Sequence, residues 1–386
     1  MTRKESEEAP DEVLDVIDFP HPSTRPTFNT LLTTLGLLAI RPPSWDDTSG
    51  ASTSSTTDLS QKKVQIIGNP TPWLTSLVSS SLKWLPTDES REIIWETASI
   101  RLSERCGRAA MPSLDRSFRI PSFSLSSSSE LEIKIHEPTW DGDNLGLKTW
   151  GAAYALGKRI GRDEVMRKGI RIALSRSELV SYPDLEGSEP GDGGGSSTSK
   201  GGDKRVLELG AGTGLAGLAL AGTVNSILDR MNDSTDNIHV HLTDLPEIAP
   251  NLQRNVELNN TSIPSSITVT TGVLDWRLET SANTEREGEE SRYPLIIAAD
   301  PLYSPEHPTL LSTVVEGWLE RSNTARFIVE LPLRKLFGGE VSDFRNLMAE
   351  KGFSVLEEGE ENARDDWGES GESMTCWWAI YGWIDG

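Results

Sequence analysis

From about residue 204 onward, apolar positions alternate between two periods, and the alternation predicts an α/β fold. "RVLELG" reads as a strand and "GLAGLALAGTVNSIL" as a helix, then "HVHLTDL" as a strand and "IAPNLQRNVELNN" as a helix. "ITVTTGVLDW" is a further strand, and the acidic stretch "ETSANTEREGEESR" after it interrupts the pattern. "YPLIIAAD", "HPTLLSTVVEGWLE", "ARFIVELPL" and "VSDFRNLMAEKG" then give strand, helix, strand and helix. Alternation of this kind implies a parallel sheet with helices on both faces. "FSVLEEGE" and "CWWAIYGWI" close the chain with no helix between them, so they pair most simply as an antiparallel hairpin. The expectation is a mostly parallel, Rossmann-like sheet of seven strands with an antiparallel terminal hairpin.

Upstream the pattern changes. Residues 1–25 are polar and proline-punctuated, and read as a flexible tail. Residues 26–127 read as an α-helical N-terminal module. "FNTLLTTLGLLAI" predicts a helix stopped by Pro42 and Pro43, and "DDTSGASTSSTTDLSQKK" a low-complexity linker. Ile93, Ile94, Ala98 and Leu102 return at helical spacing in a third stretch. "LEIKIHE" alternates as a half-exposed strand, and "TWGAAYALGKRIG" is small and apolar enough for a tightly packed helix. The segment Asp184 to Lys204 is too rich in glycine and polar residues for any element to be assigned.

Composition narrows the function. No apolar run approaches the roughly 18 residues of a membrane span, and the first residues carry no apolar core of a secretory signal. Two cysteines, Cys106 and Cys376, have no metal-binding spacing, so free thiols in the cytoplasm or nucleus are expected. A net charge of −22 repels a phosphate backbone and favours a basic protein partner. Direct nucleic-acid binding, membrane association and a bound metal are not expected. A monomer is expected.

The stretch "VLELGAGTGLAGLALA" carries the chemistry. Glycines where a strand turns sharply into a helix let a ligand approach the backbone. "GTGLAG" satisfies a dinucleotide pattern as written, so a nicotinamide cofactor and S-adenosylmethionine both remain open on that ground. Glu208, two residues ahead of Gly210, favours the second, because a carboxylate suits a cationic ammonium and sulfonium better than a pyrophosphate. Asp244 lies 36 residues after Glu208, at the end of the next strand, where an acid can accept ribose hydroxyls. Its competing role is to complement a helix N-terminus.

"ELGAGTGLAG", "TDLPEIAPNLQRNVELNN" and "DPLYSPEHP", in that order, resemble the seven-β-strand protein-lysine methyltransferases with a D-x-x-Y motif. "NLGLKTWGAAYALGKRI" is similar to the tryptophan-bearing helix those enzymes carry before the cofactor strand. "LSERCGRAAMPSLDRSFRIP" looks like the N-terminal module of fungal members acting on translation elongation factors. The resemblance implies a class I methyltransferase domain over 128–386, S-adenosyl-L-methionine as methyl donor and a protein lysine as acceptor, in the cytoplasm. It places Glu208, Gly210, Gly212 and Gly214 along the cofactor's amino-acid and ribose portion, and Asp244 on the ribose hydroxyls. It also places Trp276 against the adenine with Asp275 nearby, and Trp150 at the methionine end. Ordinary core packing competes for both tryptophans.

Asp300 and Tyr303 are the candidate catalytic pair. Methyl transfer from a sulfonium is an in-line displacement, in which the enzyme aligns a neutral amine and excludes water. Asp300 ends the fourth strand, where its carboxylate can accept a hydrogen bond from the amine, and Tyr303 can wall the lysine channel. His307 reads as structural. Three alternatives stay open: transfer to a small-molecule, glutamine-amide or nucleobase amine, since "DPLY" is one residue from D-P-P-Y; a non-catalytic binding protein; and a dehydrogenase.

Overall fold

The computed structural model describes residues 12–39, 64–106, 112–124, 127–139, 145–175, 204–228, 237–279, 292–334, 338–364 and 373–384. Pro42, Pro43, the low-complexity linker, most of the 184–204 segment and most of the acidic stretch after the third strand lie outside them. The chain divides into two compact units, one reaching Ser113 and one beginning at Leu114.

In the first unit, β1 (Glu12–Asp15) pairs in parallel with β2 (Val64–Ile67). Helices α1 (Phe28–Leu37) and α3 (Asp88–Ser103) follow the sequence expectation, and α2 (Thr71–Ser79) lies between them in the chain. Thr27 caps α1 by accepting from the Thr30 amide, and a reciprocal Thr87–Ser90 capping box starts α3. Leu31, Leu35, Leu74, Leu77, Ile94 and Ala98 are fully buried and form the core of the unit. Of the face expected on α3, Ile94 and Ala98 turn inward while Ile93 is exposed. The unit is therefore not purely helical. β1 and β2 come from segments about fifty residues apart, with no hairpin turn to announce them.

The second unit opens with an antiparallel pair, β3 (Leu114–Ser124) and β4 (Ser127–Glu137), which pair along their whole length. The boundary expected at 127/128 falls after the first residue of β4, whereas the second unit begins at Leu114 and holds β3 with its partner. Two helices follow, α4 (Gly151–Arg162) and α5 (Glu164–Ser175). α5 has no counterpart among the elements expected beyond residue 163, yet Met166, Ile170, Ala173 and Leu174 recur at helical spacing and are all buried.

The main sheet is built from β5 (Lys204–Leu209), β6 (Ile238–Asp244), β7 (Ile267–Val273), β8 (Leu295–Ala299), β9 (Arg326–Pro332), β10 (Phe353–Arg364) and β11 (Ser373–Trp383). Between them run α6 (Leu215–Leu228), α7 (Ala249–Leu258), α8 (His307–Trp318) and α9 (Gly338–Glu350). The strand order is β10-β11-β9-β8-β5-β6-β7. Strands β5 to β9 are mutually parallel, and β11 runs antiparallel to both β9 and β10. This is the expected seven-stranded sheet with its terminal hairpin. Leu207, Leu209, Ile296, Ala298, Phe327 and Val329 are fully buried, as continuous apolar strands covered on both faces must be.

From β5 the chain moves outward through β6 and β7, then returns to β8 on the other side of β5 and continues to β9. That reversal between β5 and β8 opens a crevice at the carboxyl ends of the strands, where open α/β sheets bind ligands. Arg159 of α4 pairs with Glu330 of β9 at 3.2 Å and with Glu361 of β10 at 2.7 Å, pinning the helix across the sheet. No helix among the described residues is long and apolar enough to cross a membrane.

Helix α4 approaches its neighbours closely. A Cβ built on Gly161 falls 1.9 Å from the Pro121 carbonyl oxygen of β3, a backbone atom that cannot swing away. Gly161→Ala is therefore expected to destabilise the protein by about 2–4 kcal/mol through forced separation of helix and strand. Gly36→Ala in α1, where a Cβ meets nothing within 4 Å, is expected to be neutral or to stabilise by up to about 1 kcal/mol. Thermal unfolding of the two variants beside the parent checks both.

Candidate active site

β5 ends at Leu209 and the chain turns through Gly210, Gly212 and Gly214, at φ +63°, +57° and +85°. Left-handed backbone at three of five positions is where glycine is required. A Cβ on Gly210 would fall 3.1 Å from the Trp276 ring, and one on Gly212 would fall 3.2 Å from the Gly146 carbonyl oxygen. Those two glycines face a cavity of about 310 Å3. Gly214 does not line it; its Cα hydrogen side is turned to Leu252, which a Cβ would meet at 2.7 Å.

Glu208 also stands off the cavity wall. It is fully buried, and its Oε2 accepts from the Gly217 amide of α6 at 3.1 Å. Burial pushes its pKa up to about 8, the Asp244 charge adds to the rise, and the Gly217 hydrogen bond opposes it. Its place is beneath the glycine turn, tying β5 to the start of α6. Glu208 and Gly214, expected along the cofactor, thus stand behind the residues that line the cavity.

Four other expected residues converge on the cavity. Asp244 leaves β6 with Oδ2 accepting from the Gly212 amide and Oδ1 from the Leu245 amide, both at 2.7 Å. Burial raises its pKa to about 6 against the pull of those two amides, with Glu247 adding to the rise. Asp275 follows β7, accepts from the Arg277 amide and chelates the Arg277 guanidinium, which holds its carboxyl below the usual range. Trp276 lies over Gly210, and Trp150 anchors its indole N–H on the Leu145 carbonyl at 3.1 Å.

Asp300, after β8, has φ +51° and a nearly buried side chain. Its amide donates to the Glu330 carbonyl at 2.8 Å, which fixes the turn to β9. Its carboxylate is gripped by Arg334, Nη1 to Oδ1 at 2.9 Å and Nη2 to Oδ2 at 2.6 Å. Tyr303 lies on the same wall, and loss of water with the Asp244 and Asp300 charges pushes its phenol up to about 12. His307 meets the Tyr303 ring edge-on at 4.3 Å and the Trp276 ring at 5.9 Å. Its Nδ1 accepts from the Tyr303 amide at 3.3 Å, and burial lowers its pKa, so a neutral imidazole holds the motif in shape. Among the described residues no group of three or more histidine, cysteine or carboxylate side chains could hold a metal ion.

Residues 127–338 match the profile of a family described as lysine methyltransferase. The chain belongs to the lysine methyltransferase family. It is 33% identical over 278 residues to the protein-lysine N-methyltransferase EFM2 of Saccharomyces cerevisiae, across 72% of this chain and 57% of that protein. It is 29% identical over 323 residues to the protein-lysine N-methyltransferase rrg1 of Schizosaccharomyces pombe, across 83% of this chain and 87% of that protein. A shorter match, 34% over 117 residues, is to the protein-lysine N-methyltransferase EFM6 of Saccharomyces cerevisiae, over 29% of this chain and 44% of that one. The chain thus spans little more than half the length of EFM2.

A lysine methyltransferase built on this sheet takes S-adenosylmethionine as methyl donor, and the cavity fits that molecule. Gly210 and Gly212 place no side chain in the space, the Asp244 carboxyl with its raised pKa lines it, and so do the indoles of Trp150 and Trp276. An acid-lined, aromatic-walled cavity suits a cation carrying an adenine ring.

Two side chains at or beside the cavity leave no signal in the sequence, and a third has a wider role than its local pattern shows. Arg334 was invisible because its partner lies 34 residues earlier. Lys148, buried against the cavity with Nζ donating to the Pro138 carbonyl at 2.7 Å, precedes the flagged Trp150 by two residues. His307, structural by its place in the sequence, shapes the turn and also joins Trp276 to Tyr303.

Proposed function

We propose that this chain is an S-adenosylmethionine-dependent protein-lysine N-methyltransferase. The observation that carries the reading is the meeting of Asp300, Tyr303, Asp244 and Trp276 on one cavity, in a chain of the lysine methyltransferase family. S-adenosylmethionine, when bound, supplies an electrophilic methyl group on a sulfonium. Asp244 would accept hydrogen bonds from the ribose hydroxyls, Trp276 would hold the adenine with Asp275 nearby, and Trp150 would flank the methionine end. Gly210 and Gly212 admit the ligand to the backbone, while Glu208 and Gly214 keep the loop in shape. Asp300 accepts a hydrogen bond from the acceptor amine, and the Tyr303 ring narrows the entrance and excludes water.

The substrate in this reading is a translation elongation factor, methylated in the cytoplasm by a monomeric enzyme that does not bind nucleic acid directly. Two features support it. The segment "LSERCGRAAMPSLDRSFRIP" resembles the N-terminal module of fungal enzymes with such substrates, and a net charge of −22 favours a basic protein surface over a phosphate backbone.

Tritiated S-adenosylmethionine, purified enzyme and size-resolved cell lysate test the reading. One labelled protein band, absent with Asp300→Asn and mapped to a lysine, is the expected result. Label confined to nucleic acid or small molecules would overturn it.

A further inference from the structure

We propose that Asn255 of α7 is a positioning residue that keeps the glycine turn in the shape S-adenosylmethionine binds. The inference rests on the cofactor reading above and concerns a fully buried side chain that stands off the cavity.

Asn251, Asn255 and Asn259 recur every four residues, so α7 and its C-terminal cap turn three carboxamides to one side. Their partner is the edge of β4 that faces away from β3. Asn259 accepts from the Lys134 amide at 2.9 Å and donates to the Lys134 carbonyl at 2.7 Å. Asn255 does the same two residues further along, accepting from the His136 amide at 2.8 Å and donating to the His136 carbonyl at 3.2 Å. Asn251 also donates to that carbonyl, at 3.0 Å. Asn255 and Asn259 thus stand where a neighbouring strand would offer its own N–H and C=O. The two clamps differ in a further bond. Asn259 turns its other N–H to its own helix, at the Asn255 carbonyl, 2.8 Å away. Asn255 sends the equivalent N–H to the Thr213 carbonyl at 3.0 Å, in the middle of the glycine turn.

That bond fixes a peptide which is otherwise easy to turn. Thr213 lies between Gly212 and Gly214, both left-handed, and lines the cavity. The peptide joining Thr213 to Gly214 can turn over at little cost, because glycine accepts either sign of φ. Four residues on, the Gly217 amide that a continuing helix would return to the Thr213 carbonyl goes to Glu208 instead. The peptide is held at its amide end by Gly214 donating to the Ala211 carbonyl at 2.8 Å, and at its carbonyl end by Asn255. Thr149 meets the Thr213 hydroxyl at 3.0 Å, but a contact on the side chain leaves the peptide plane free to turn. Without the Asn255 N–H, a buried carbonyl loses its partner and the turn samples other shapes. A smaller fraction of the protein is then ready for the cofactor, and its apparent affinity falls by that fraction.

Asn259→Ala and Asn255→Ala separate the clamp on β4 from the hold on the turn, since each removes one clamp and only the second frees Thr213. Both variants are expected to melt lower than the parent, by about 5–10 °C. Calorimetric titration with S-adenosylhomocysteine is expected to give a Kd about tenfold weaker in Asn255→Ala, and within about twofold of the parent in Asn259→Ala. Equal weakening in the two, or none in Asn255→Ala, would overturn the proposal. Reciprocity between ligand and turn gives a second test on the unaltered protein, which stands even where Asn255→Ala does not fold. Saturating S-adenosylhomocysteine makes opening at Asn255 rarer by the same factor of about ten. Residue-resolved hydrogen exchange is therefore expected to slow about ten times more at the His136 amide than at the Lys134 amide. Equal slowing at both amides would overturn the proposal as well. A parent that binds no S-adenosylhomocysteine refutes the cofactor reading, and the proposal with it. A parent that binds it yet labels no protein refutes the lysine reading alone, and both tests still judge Asn255.

Discussion

Asp300→Asn is expected to lower kcat by roughly a thousandfold while S-adenosylmethionine affinity stays within about twofold. Asparagine keeps the shape of the side chain and is among the few residues at ease at φ +51°, so the turn after β8 survives. What it loses is the charge. Arg334 would then face the acceptor uncompensated and repel the arriving ammonium, and the amine would lose the acceptor that orients it. Asp300→Ala is expected to be as inactive and also less stable, by about 1–2 kcal/mol, because alanine does not favour the left-handed region. Single-turnover rates and calorimetric cofactor titration of both variants separate the two effects. Cofactor affinity falling in step with activity would place Asp300 on the cofactor instead of the acceptor.

The second large effect is on stability and concerns Glu208. Its pKa rises from about 4.5 in the unfolded chain to about 8 in the fold, because its carboxylate is buried. The folded protein thus holds this proton more tightly than the unfolded chain does. Glu208 favours folding fully below pH 4.5, and that support is lost progressively up to about pH 8. Glutamine can accept the Gly217 amide bond without ever ionising. Glu208→Gln is therefore expected to match the parent near pH 5 and to exceed it by about 2–4 kcal/mol near pH 8.5, which is about 5–10 °C in melting temperature. Thermal melts of the ligand-free protein across that range check it. A constant offset at every pH would show that Glu208 does not titrate in this window.

Legibility in the sequence followed the range of each interaction. The parallel strands and terminal hairpin were readable because each strand carries its own apolar run and each gap holds a helix. Asp244 ends β6, Asp300 directly follows β8 and Trp276 lies three residues past β7, and because the carboxyl ends of parallel strands share one edge, the strand pattern by itself brings them to one side of the sheet. The partner of Glu208 is not legible in the sequence, because only the side chain's direction off β5 decides its company, and that direction is toward α6. Gly214 was correctly a loop glycine, yet it serves the packing against Leu252. Arg334 left no local trace, since its meaning comes from β9 lying next to β8. The β1–β2 pair was hidden for a similar reason, being two four-residue strands joined only by tertiary contact.

The direction of the parallel strands also bears on how this chain tolerates change in length. The segments 176–203, 229–236 and 280–291 each lead into the amino end of a strand, at β5, β6 and β8. The groups assigned to cofactor and acceptor follow the carboxyl ends of β5 to β8, apart from Trp150, which opens α4. Residues can be gained or lost at one rim of the sheet while the distances at the other stay as they are. A reporter peptide or a split-protein junction belongs at the first rim, where it would ride on the enzyme without entering its chemistry.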